Sequence, residues 1–185
     1  DMQTLHKSMI IIGGGYIGCE FASIFASFGV EITILEATEG LLPNVDREIA
    51  NSLRTIMERN GITIITKAFV QSVKGNEVEY RVEGTIKKIQ AEKILVAIGL
   101  APTFDKECLD KIGVKYGKGI LVNDHMQTTV KNIYAVGDVT GKIMLAHVAT
   151  AQAEVAAENS RGKKSVIDYS TIPACIFTFP EIAMV

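Results

Sequence analysis

A glycine-rich turn between an apolar run and a helical pattern is the feature that most restricts how this chain can fold. Residues 9–20 read Met-Ile-Ile-Ile-Gly-Gly-Gly-Tyr-Ile-Gly-Cys-Glu, which places Gly13, Gly15 and Gly18 in G-x-G-x-x-G spacing. In this spacing the first glycine makes a tight turn, the second lets a pyrophosphate approach the backbone, and the third lets the helix pack closely on the strand. The motif predicts a dinucleotide site; a turn shaped only for packing is the alternative.

The residues around the turn match the strand–helix–strand unit in which this motif works. Ser8–Ile12 has the composition of a strand, and Val30–Leu35 is a second apolar run that ends at Glu36. Between them, apolar side chains recur at steps of three and four residues, which predicts a helix with this face packed on a sheet. These side chains are Ile17, Phe21, Ile24, Phe25 and Phe28.

Glu36 follows the glycines by roughly twenty residues, where an acid binds the adenosine ribose in such units. A carboxylate there accepts hydrogen bonds from the 2′- and 3′-hydroxyls and repels a 2′-phosphate. The next residues, 37–40, read Ala-Thr-Glu-Gly and supply no arginine for such a phosphate. The sequence therefore predicts NAD(H) rather than NADP(H) as the ligand.

Composition argues against several other classes of function. The 185 residues are 48% hydrophobic with a formal net charge of −2, and they lack the basic stripe that a nucleic-acid partner requires. No apolar run reaches the roughly twenty residues of a membrane span. The three cysteines and three histidines show neither metal-ligand spacing nor a CxxC pair. We therefore expect no metal site and a reducing, cytoplasmic location.

The remainder of the first hundred residues predicts a Rossmann-like parallel sheet with an antiparallel meander inserted in it. Asp46 is expected to cap a helix. The buried face of that helix is expected to contain Ile49, Leu53, Ile56 and Met57. A strand over 62–65 is followed by predicted meander strands over 68–73, 77–83 and 85–90. The meander would cover one side of the sheet.

The parallel sheet is expected to resume with residues 93–98. This run is almost entirely apolar, so we expect it to be buried on both faces. Gly99 follows at the carboxyl end of the predicted strand. It is either a simple turn residue or a point of close approach to the dinucleotide, because ligands of open α/β sheets bind at this edge.

After residue 100 the pattern becomes loop-rich, and we expect a domain boundary there. Residues 132–136 are predicted to form a strand that ends at Gly137-Asp138. Met144-Leu145-Ala146-His147 then opens a predicted alanine-rich helix that reaches about Ser160. The unpaired N–H groups at its start would form an anion or dipole-acceptor site. Taken alone, Asp138 is equally a turn former, and His147 is equally a polar residue at a helix start.

Four motifs, in this order, resemble those of the pyridine nucleotide-disulfide oxidoreductases across essentially the whole chain. They are Gly13–Glu20, Tyr134–Asp138, Met144–His147 and Phe177–Glu181. The Met-Leu-Ala-His element is most similar to the dihydrolipoamide dehydrogenase branch of that family. Four ordered motifs are much more specific than any one of them.

The resemblance implies three pieces of a longer flavoprotein. These are an NAD-binding domain over 1–100, the C-terminal part of an FAD-binding domain over 101–171, and the start of an interface domain over 172–185. The chain begins at Asp1 and stops inside an apolar run, which also leads us to expect a piece of a longer protein.

The resemblance also implies a set of cofactor contacts. For NAD they are Gly13, Gly14, Gly15, Tyr16, Ile17, Gly18, Cys19, Glu20, Glu36, Ala68 and Gly99. For FAD they are Asp138, Met144, Leu145, Ala146 and His147. Glu20 would take a supporting catalytic role near the nicotinamide and flavin, Tyr16 would cover the nicotinamide pocket, and Asp138 would hold a ribityl hydroxyl. The helix start after Met144 would stabilise negative charge on the reduced flavin.

The activity implied for the parent, a homodimer, is hydride transfer between NAD and FAD. A redox disulfide would couple this transfer to oxidation of dihydrolipoamide on a lipoyl-bearing protein. The sequence contains no FAD-type glycine motif, no CxxxxC pair and no C-terminal His-Glu base, so we expect this chain alone to bind NAD without turnover.

One departure and three alternatives accompany this interpretation. After Gly99 the family usually carries Arg-x-Pro-Asn, whereas residues 100–103 read Leu-Ala-Pro-Thr, so no charged contact is expected there. Another FAD-dependent disulfide reductase and an NADH oxidase are alternatives with the same fold. A non-catalytic NAD-sensing module is an alternative from another class.

Overall fold

The chain forms two compact units in the computed structural model, which describes residues 4–185. The first unit comprises the chain up to Gly99 together with Ala174–Met184, and the second comprises Leu100–Pro173. The longest helix among the described residues has 15 residues. None of the helices in that part of the chain combines the length and the apolar character needed to cross a membrane.

The first unit contains a four-stranded parallel sheet, a three-stranded antiparallel meander and two helices. Their bounds are β1 Ser8–Ile12, α1 Tyr16–Ser27, β2 Glu31–Leu35, α2 Arg47–Arg59, β3 Thr63–Ile65, β4 Phe69–Lys74, β5 Glu77–Val82, β6 Thr85–Gln90 and β7 Lys93–Val96. The parallel sheet has the strand order β3-β2-β1-β7, and the meander has the order β4-β5-β6. The predicted Rossmann-like α/β fold with an antiparallel insertion is therefore confirmed.

The two faces of the parallel sheet are covered by different elements. Successive side chains of a strand point to opposite faces, so β1 divides its residues between two apolar clusters. Met9 and Ile11 pack in the cluster that contains residues of α1 and α2, whereas Ile10 and Ile12 pack with Tyr80 of the meander. Each fully buried isoleucine contributes about 1.5–3 kcal/mol relative to an exposed one.

Helix α1 turns a different face to the sheet from the one that the sequence pattern predicts. The residues that it buries are small: Gly18, Cys19, Ala22 and Ser23. Most of the predicted stripe is exposed, with Ile17 43%, Phe21 40%, Ile24 41% and Phe28 65% accessible. That prediction was wrong because a helix that lies close to its strand has room for small side chains only.

Helix α2 begins as predicted. The Asp46 carboxylate accepts hydrogen bonds from the backbone N–H groups of Glu48 and Ile49, at 2.9 and 3.3 Å. Leu53 and Met57 are buried on the predicted face, but Ile49 is 47% exposed and Ala50 is buried instead.

Strand β7 lies at one edge of the parallel sheet, where β1 is its neighbour. Lys93 and Val96 are exposed, and so is Ile98 beyond the end of the strand. The prediction that residues 93–98 are buried on both faces was therefore wrong. An apolar run indicates a strand but does not reveal its place within the sheet.

The second unit is organised by helices and turns. Helix α3 spans Lys106–Ile112, helix α4 spans Ala146–Ser160, and short 3-10 turns occupy Gly137–Thr140 and Tyr169–Thr171. The predicted strand over 132–136 is wrong, since the structure gives this segment only the Gln127–Tyr134 bridge. An extended segment becomes a strand only where a neighbouring segment completes the hydrogen-bond ladder.

The last described residues form a small antiparallel hairpin. Its strands are β8 Ala174–Ile176 and β9 Ile182–Met184, and the Phe179–Pro180 peptide bond between them is cis. Ile176 and Ile182 are buried in the apolar cluster that also contains Cys19 and Leu53. The hairpin thus contributes to the core of the first unit.

Candidate dinucleotide-binding site

The glycine turn brings together the carboxyl ends of three parallel strands. Gly13 follows β1 with a φ of +108°, a value that side chains rarely permit. Its N–H donates to the carbonyl oxygen of Leu35 at the end of β2, at 2.9 Å. A Cβ at this position would overlap the carbonyl oxygen of Ala97, just beyond β7. The turn is therefore built for glycine on steric grounds.

Gly15 and Gly18 face very different surroundings. A Cβ at Gly18 would overlap the carbonyl oxygen of Gly13, so this glycine allows α1 to pack against the turn. A Cβ at Gly15 would meet no atom within 4 Å. Gly15 is the N-cap of α1, which has no side-chain cap and no acidic residue in its first turn. Open space beside uncapped N–H groups is the arrangement that binds a phosphate.

Glu36 points back at this turn. Its Oε2 accepts the N–H of Gly14 at 2.5 Å, and its Oε1 accepts the N–H of Thr38 at 2.7 Å. The residue is only 8% exposed. A carboxylate has about four acceptor positions, so each oxygen retains capacity for one further donor. Two adjacent ribose hydroxyls match that remaining capacity.

Two cations lie beside the Glu36 loop, both bound to Glu39. The carboxylate of Glu39 contacts Lys67 Nζ at 3.0 Å and Arg47 NH2 at 3.0 Å. The hydrogen bond from Lys67 is the main reason that the pKa of Glu39 is lowered. Both cations thus share an anionic partner within the protein.

Ala68 and Gly99, the other two predicted NAD contacts, differ in their settings. The N–H of Ala68 donates to the carbonyl oxygen of Glu36 at 2.9 Å, which brings Ala68 to the Glu36 loop, although its side chain is buried in the meander-side core. Gly99 is exposed, has a φ of +105° and would accept a Cβ without contact. The structure therefore brings Ala68 to Glu36 and leaves Gly99 in an open turn.

Cys19 lies in the motif but is chemically protected. Burial, followed by the nearby charges of Glu36 and Glu20, raises the pKa of its thiol to about 12. Its Sγ lies 3.4 Å from the carbonyl oxygen of Gly14. The thiol therefore serves as a small packing group rather than as a nucleophile.

The remaining motif residues lie in the first two turns of α1. Tyr16 packs partly against the helix-side core, and Ile17 is exposed. The Glu20 Oε1 atom accepts the backbone N–H of Phe177 at 2.9 Å. Glu20 therefore fixes the segment after β8, a contact that sequence spacing gives no means of finding.

The predicted FAD contacts lie in the second unit. Asp138 is exposed within the Gly137–Thr140 turn. Helix α4 begins at Ala146, two residues later than the predicted start at Met144, and its N-cap Leu145 offers no side-chain hydrogen bond. His147 donates from Nε2 to the carbonyl oxygen of Pro173 at 2.6 Å. Its side chain thus stabilises the end of this unit.

The chain matches a model of a known protein family over most of its length. The family model described as pyridine nucleotide-disulphide oxidoreductase matches residues 1–153. The chain belongs to this family. Curated relatives named dihydrolipoyl dehydrogenase are 42% identical in Chlamydia pneumoniae and 37% identical in Staphylococcus aureus. Each match covers 100% of this chain and 41% of the relative, so the chain spans about two fifths of their length.

Solved structures of two bacterial proteins share the fold. RclA from Escherichia coli, described as an HOCl-induced flavoprotein disulfide reductase, is 32% identical with a TM-score of 0.86, covering 99% of this chain and 43% of that one. LpdA from Mycobacterium tuberculosis is 29% identical with a TM-score of 0.88, covering 98% of this chain and 40% of that one. The predicted family resemblance is therefore confirmed.

Gln152 is a buried polar residue that sequence reasoning missed. Gln152 of α4 is 0% exposed, and its Oε1 accepts the N–H of Gly137 at 2.6 Å. The sequence does indicate that Gln152 is buried, because Val148 lies four residues earlier and residues with this spacing share a helix face. The apolar character of Val148 indicated that Gln152 is buried too.

Proposed function

We propose that the first unit binds NAD(H) and that the chain is the NAD-binding part of an FAD-dependent dihydrolipoyl dehydrogenase. The observation that carries this proposal is the open space at Gly15 beside the uncapped start of α1, with Glu36 directed at the same turn. The parent homodimer would transfer hydride between NAD and FAD, coupled to a redox disulfide that oxidises dihydrolipoamide on a lipoyl-bearing protein.

The pyrophosphate would lie over Gly15. The first N–H groups of a helix have no partner within the helix, and the helix dipole adds a partial positive charge at this end. Gly13 and Gly18 could not accept a side chain without displacing backbone atoms, whereas Gly15 has free space that a phosphate could use. This difference among the three glycines supports ligand binding over packing alone.

The ribose would lie against Glu36. With each oxygen already holding one backbone N–H, the carboxylate would accept the 2′- and 3′-hydroxyls on its remaining acceptor positions. A 2′-phosphate would meet this buried negative charge. Arg47 and Lys67, the cations beside the loop, are engaged by Glu39, which supports the preference for NAD(H).

The domain limits of 1–100, 101–171 and 172–185 belong to the same proposal. In the second piece Asp138 would hold a ribityl hydroxyl, and the uncapped start of α4 would face the flavin. The exposed carboxylate and the free N–H groups fit a hydroxyl-bearing chain and a ring that gains negative charge on reduction. When bound, FAD would supply the hydride-accepting chemistry, and Glu20 and Tyr16 would border the nicotinamide.

Another FAD-dependent disulfide reductase is the second candidate for the parent. The similarity to RclA over 99% of this chain favours it. Both candidates would use a redox disulfide, so an assay of dihydrolipoamide oxidation by the full-length protein separates them.

Titration of the 185-residue chain with NADH and NADPH tests the NAD site. Glu36→Arg should weaken NADH binding at least about tenfold, since two hydrogen bonds to a charged group are lost, and should strengthen NADPH binding. Glu31→Arg is the matched control, because Glu31 is exposed at the opposite end of β2. Failure of the native chain to bind NADH, or equal effects of both variants, would reject the proposed site.

The flavin proposal is tested on the full-length product of the reading frame. We expect a yellow protein with a flavin absorption spectrum, whereas the 185-residue chain should be colourless. A colourless full-length product would reject the proposal.

A further inference from the structure

A fully buried carboxamide links helix α4 to the turn that carries Asp138. Gln152 Oε1 accepts the N–H of Gly137 at 2.6 Å, and Gln152 Nε2 donates to the hydroxyl oxygen of Tyr169 at 3.0 Å. The side chain has no solvent exposure. Burying an amide is unfavourable unless it is hydrogen-bonded, so these two partners account for its presence in this core.

The contact holds Gly137, the residue immediately before Asp138. Gly137 has a φ of +76°, and its carbonyl oxygen accepts the Thr140 hydroxyl at 2.8 Å. The N–H of Gly141 then donates to the carbonyl oxygen of Asp138 at 2.9 Å. Because the N–H and the carbonyl of Gly137 are both bound, the backbone immediately before Asp138 is fixed.

Helix α4 fits this turn by shape as well as by hydrogen bonding. A Cβ at Gly137 would lie 3.3 Å from the Cβ of Ala149, a tight contact. Ala149 and Gln152 are three residues apart, so they face the turn from the same side of the helix. Helix α4 therefore fixes Gly137 in two ways: Ala149 limits how closely the turn approaches, and Gln152 holds its N–H group.

We propose that Gln152 is a positioning residue of the flavin site, which through the N–H of Gly137 sets the direction in which Asp138 presents its carboxylate to the ribityl chain. This inference rests on the proposed function, because the ribityl contact of Asp138 belongs to it. Tyr169 has the lesser part, since it binds the other end of the carboxamide and does not touch the turn through this bond.

The test measures the FAD dissociation constant and the visible circular dichroism of the flavin in the full-length protein. Gln152→Leu should weaken FAD binding about tenfold, the consequence of losing one orienting hydrogen bond, and should change the flavin dichroism. Gln152→Glu keeps an acceptor for the Gly137 N–H and should stay within about threefold of the native protein. Tyr169→Phe should also stay within about threefold, since the Gly137 contact remains.

Val148→Ala is the matched control for general destabilisation. Val148 is 1% exposed on the same helix face. Denaturation of the apoproteins should show both Val148→Ala and Gln152→Leu to be less stable than native, whereas only Gln152→Leu should weaken FAD binding. Equal weakening by both variants, or no weakening by Gln152→Leu among folded molecules, would overturn the inference.

An Asp138→Ala variant separates failure of the inference from failure of the proposed function. If Asp138→Ala loses FAD and Gln152→Leu binds it as tightly as the native protein, only the role of Gln152 is rejected and the proposed flavin contact stands. Unchanged binding by Asp138→Ala rejects the proposed flavin contact, and the role of Gln152 with it.

Discussion

The unit that contains the glycine turn is organised by strand ladders, whereas in the unit that contains Asp138 backbone bonds between loops are supplemented by side chains of helix α4. In the first, β1 pairs in parallel with both β2 and β7, and the turn continues those ladders through bonds such as Gly13 N–H to Leu35. In the second, Gln152 and Asn159 bind loop backbone from helix α4. A ladder distributes its stability over many bonds, while a polar cluster depends on one residue.

The largest expected effect comes from the steric limits of the glycine turn. Gly18→Val should destabilise the chain by about 4 kcal/mol or more, because the added side chain overlaps the Gly13 carbonyl. Gly15→Ala should cost only about 1 kcal/mol or less, the loss of a better N-cap residue, since no atom lies within 4 Å. Urea denaturation measures both. Equal losses in the two variants would contradict the difference between a glycine required by packing and one beside open space.

Asn159 tests the dependence of the second unit on single side chains. Its Nδ2 lies 2.7 Å from the carbonyl oxygen of Ser165 and 3.2 Å from that of His125, and its Oδ1 accepts the N–H of Ser165 at 3.0 Å. Asn159→Ala should cost about 2–3 kcal/mol, since several partly buried groups lose their partner. Asn159→Asp retains one acceptor and should cost less. Hydrogen exchange at the Ser165 amide provides the measurement. Unchanged protection of this amide in Asn159→Ala would show that the second unit does not depend on the Asn159 side chain.

Helix α1 offers a comparison within one element. Ala22→Leu should destabilise the first unit by about 2 kcal/mol, because the buried face has room for small side chains only. Phe21→Ser, on the more exposed face, should cost less, about 1 kcal/mol, from the loss of its stacking on Phe25. Thermal or urea denaturation distinguishes them. If Phe21→Ser were the more destabilising variant, the apolar stripe predicted from the sequence would be the buried face of α1.

The smallest expected effect is a pH dependence at the start of α3. The Asp105 carboxylate accepts the N–H of Cys108 at 3.1 Å, and this bond is the main reason that the pKa of Asp105 is lowered. Because the folded-state pKa lies below the unfolded one, the contribution is present above the unfolded pKa and is lost as pH falls through the folded pKa. Exchange of the Cys108 amide should accelerate in this window relative to an Asp105→Asn variant. If the Cys108 amide exchanged at the same rate in both proteins at every pH, the Asp105 carboxylate would not stabilise the start of α3.

The sequence was most informative at the ends of strands and helices, where the local backbone geometry admits few residue types. The turn at Gly13, the cap at Asp46 and the acid at Glu36 were predicted from spacing, and the structure places them at the ends of the expected elements. The buried face of α1 was predicted wrongly. Hydrophobic periodicity assumes that large side chains face the core, and here the short helix–strand distance reverses that assumption.

The sequence by itself determined the order of strands and helices along the first unit, the family, and the approach of Glu36 to the glycine turn. These features follow from turn geometry and strand pairing, which depend on residues close together in the sequence or on adjacent strands. Only the tertiary structure decided that β7 lies at a sheet edge, that Glu20 holds Phe177, and that Gln152 holds Gly137. Such contacts join residues that are distant along the chain, and spacing carries no information about which of them meet in the folded protein.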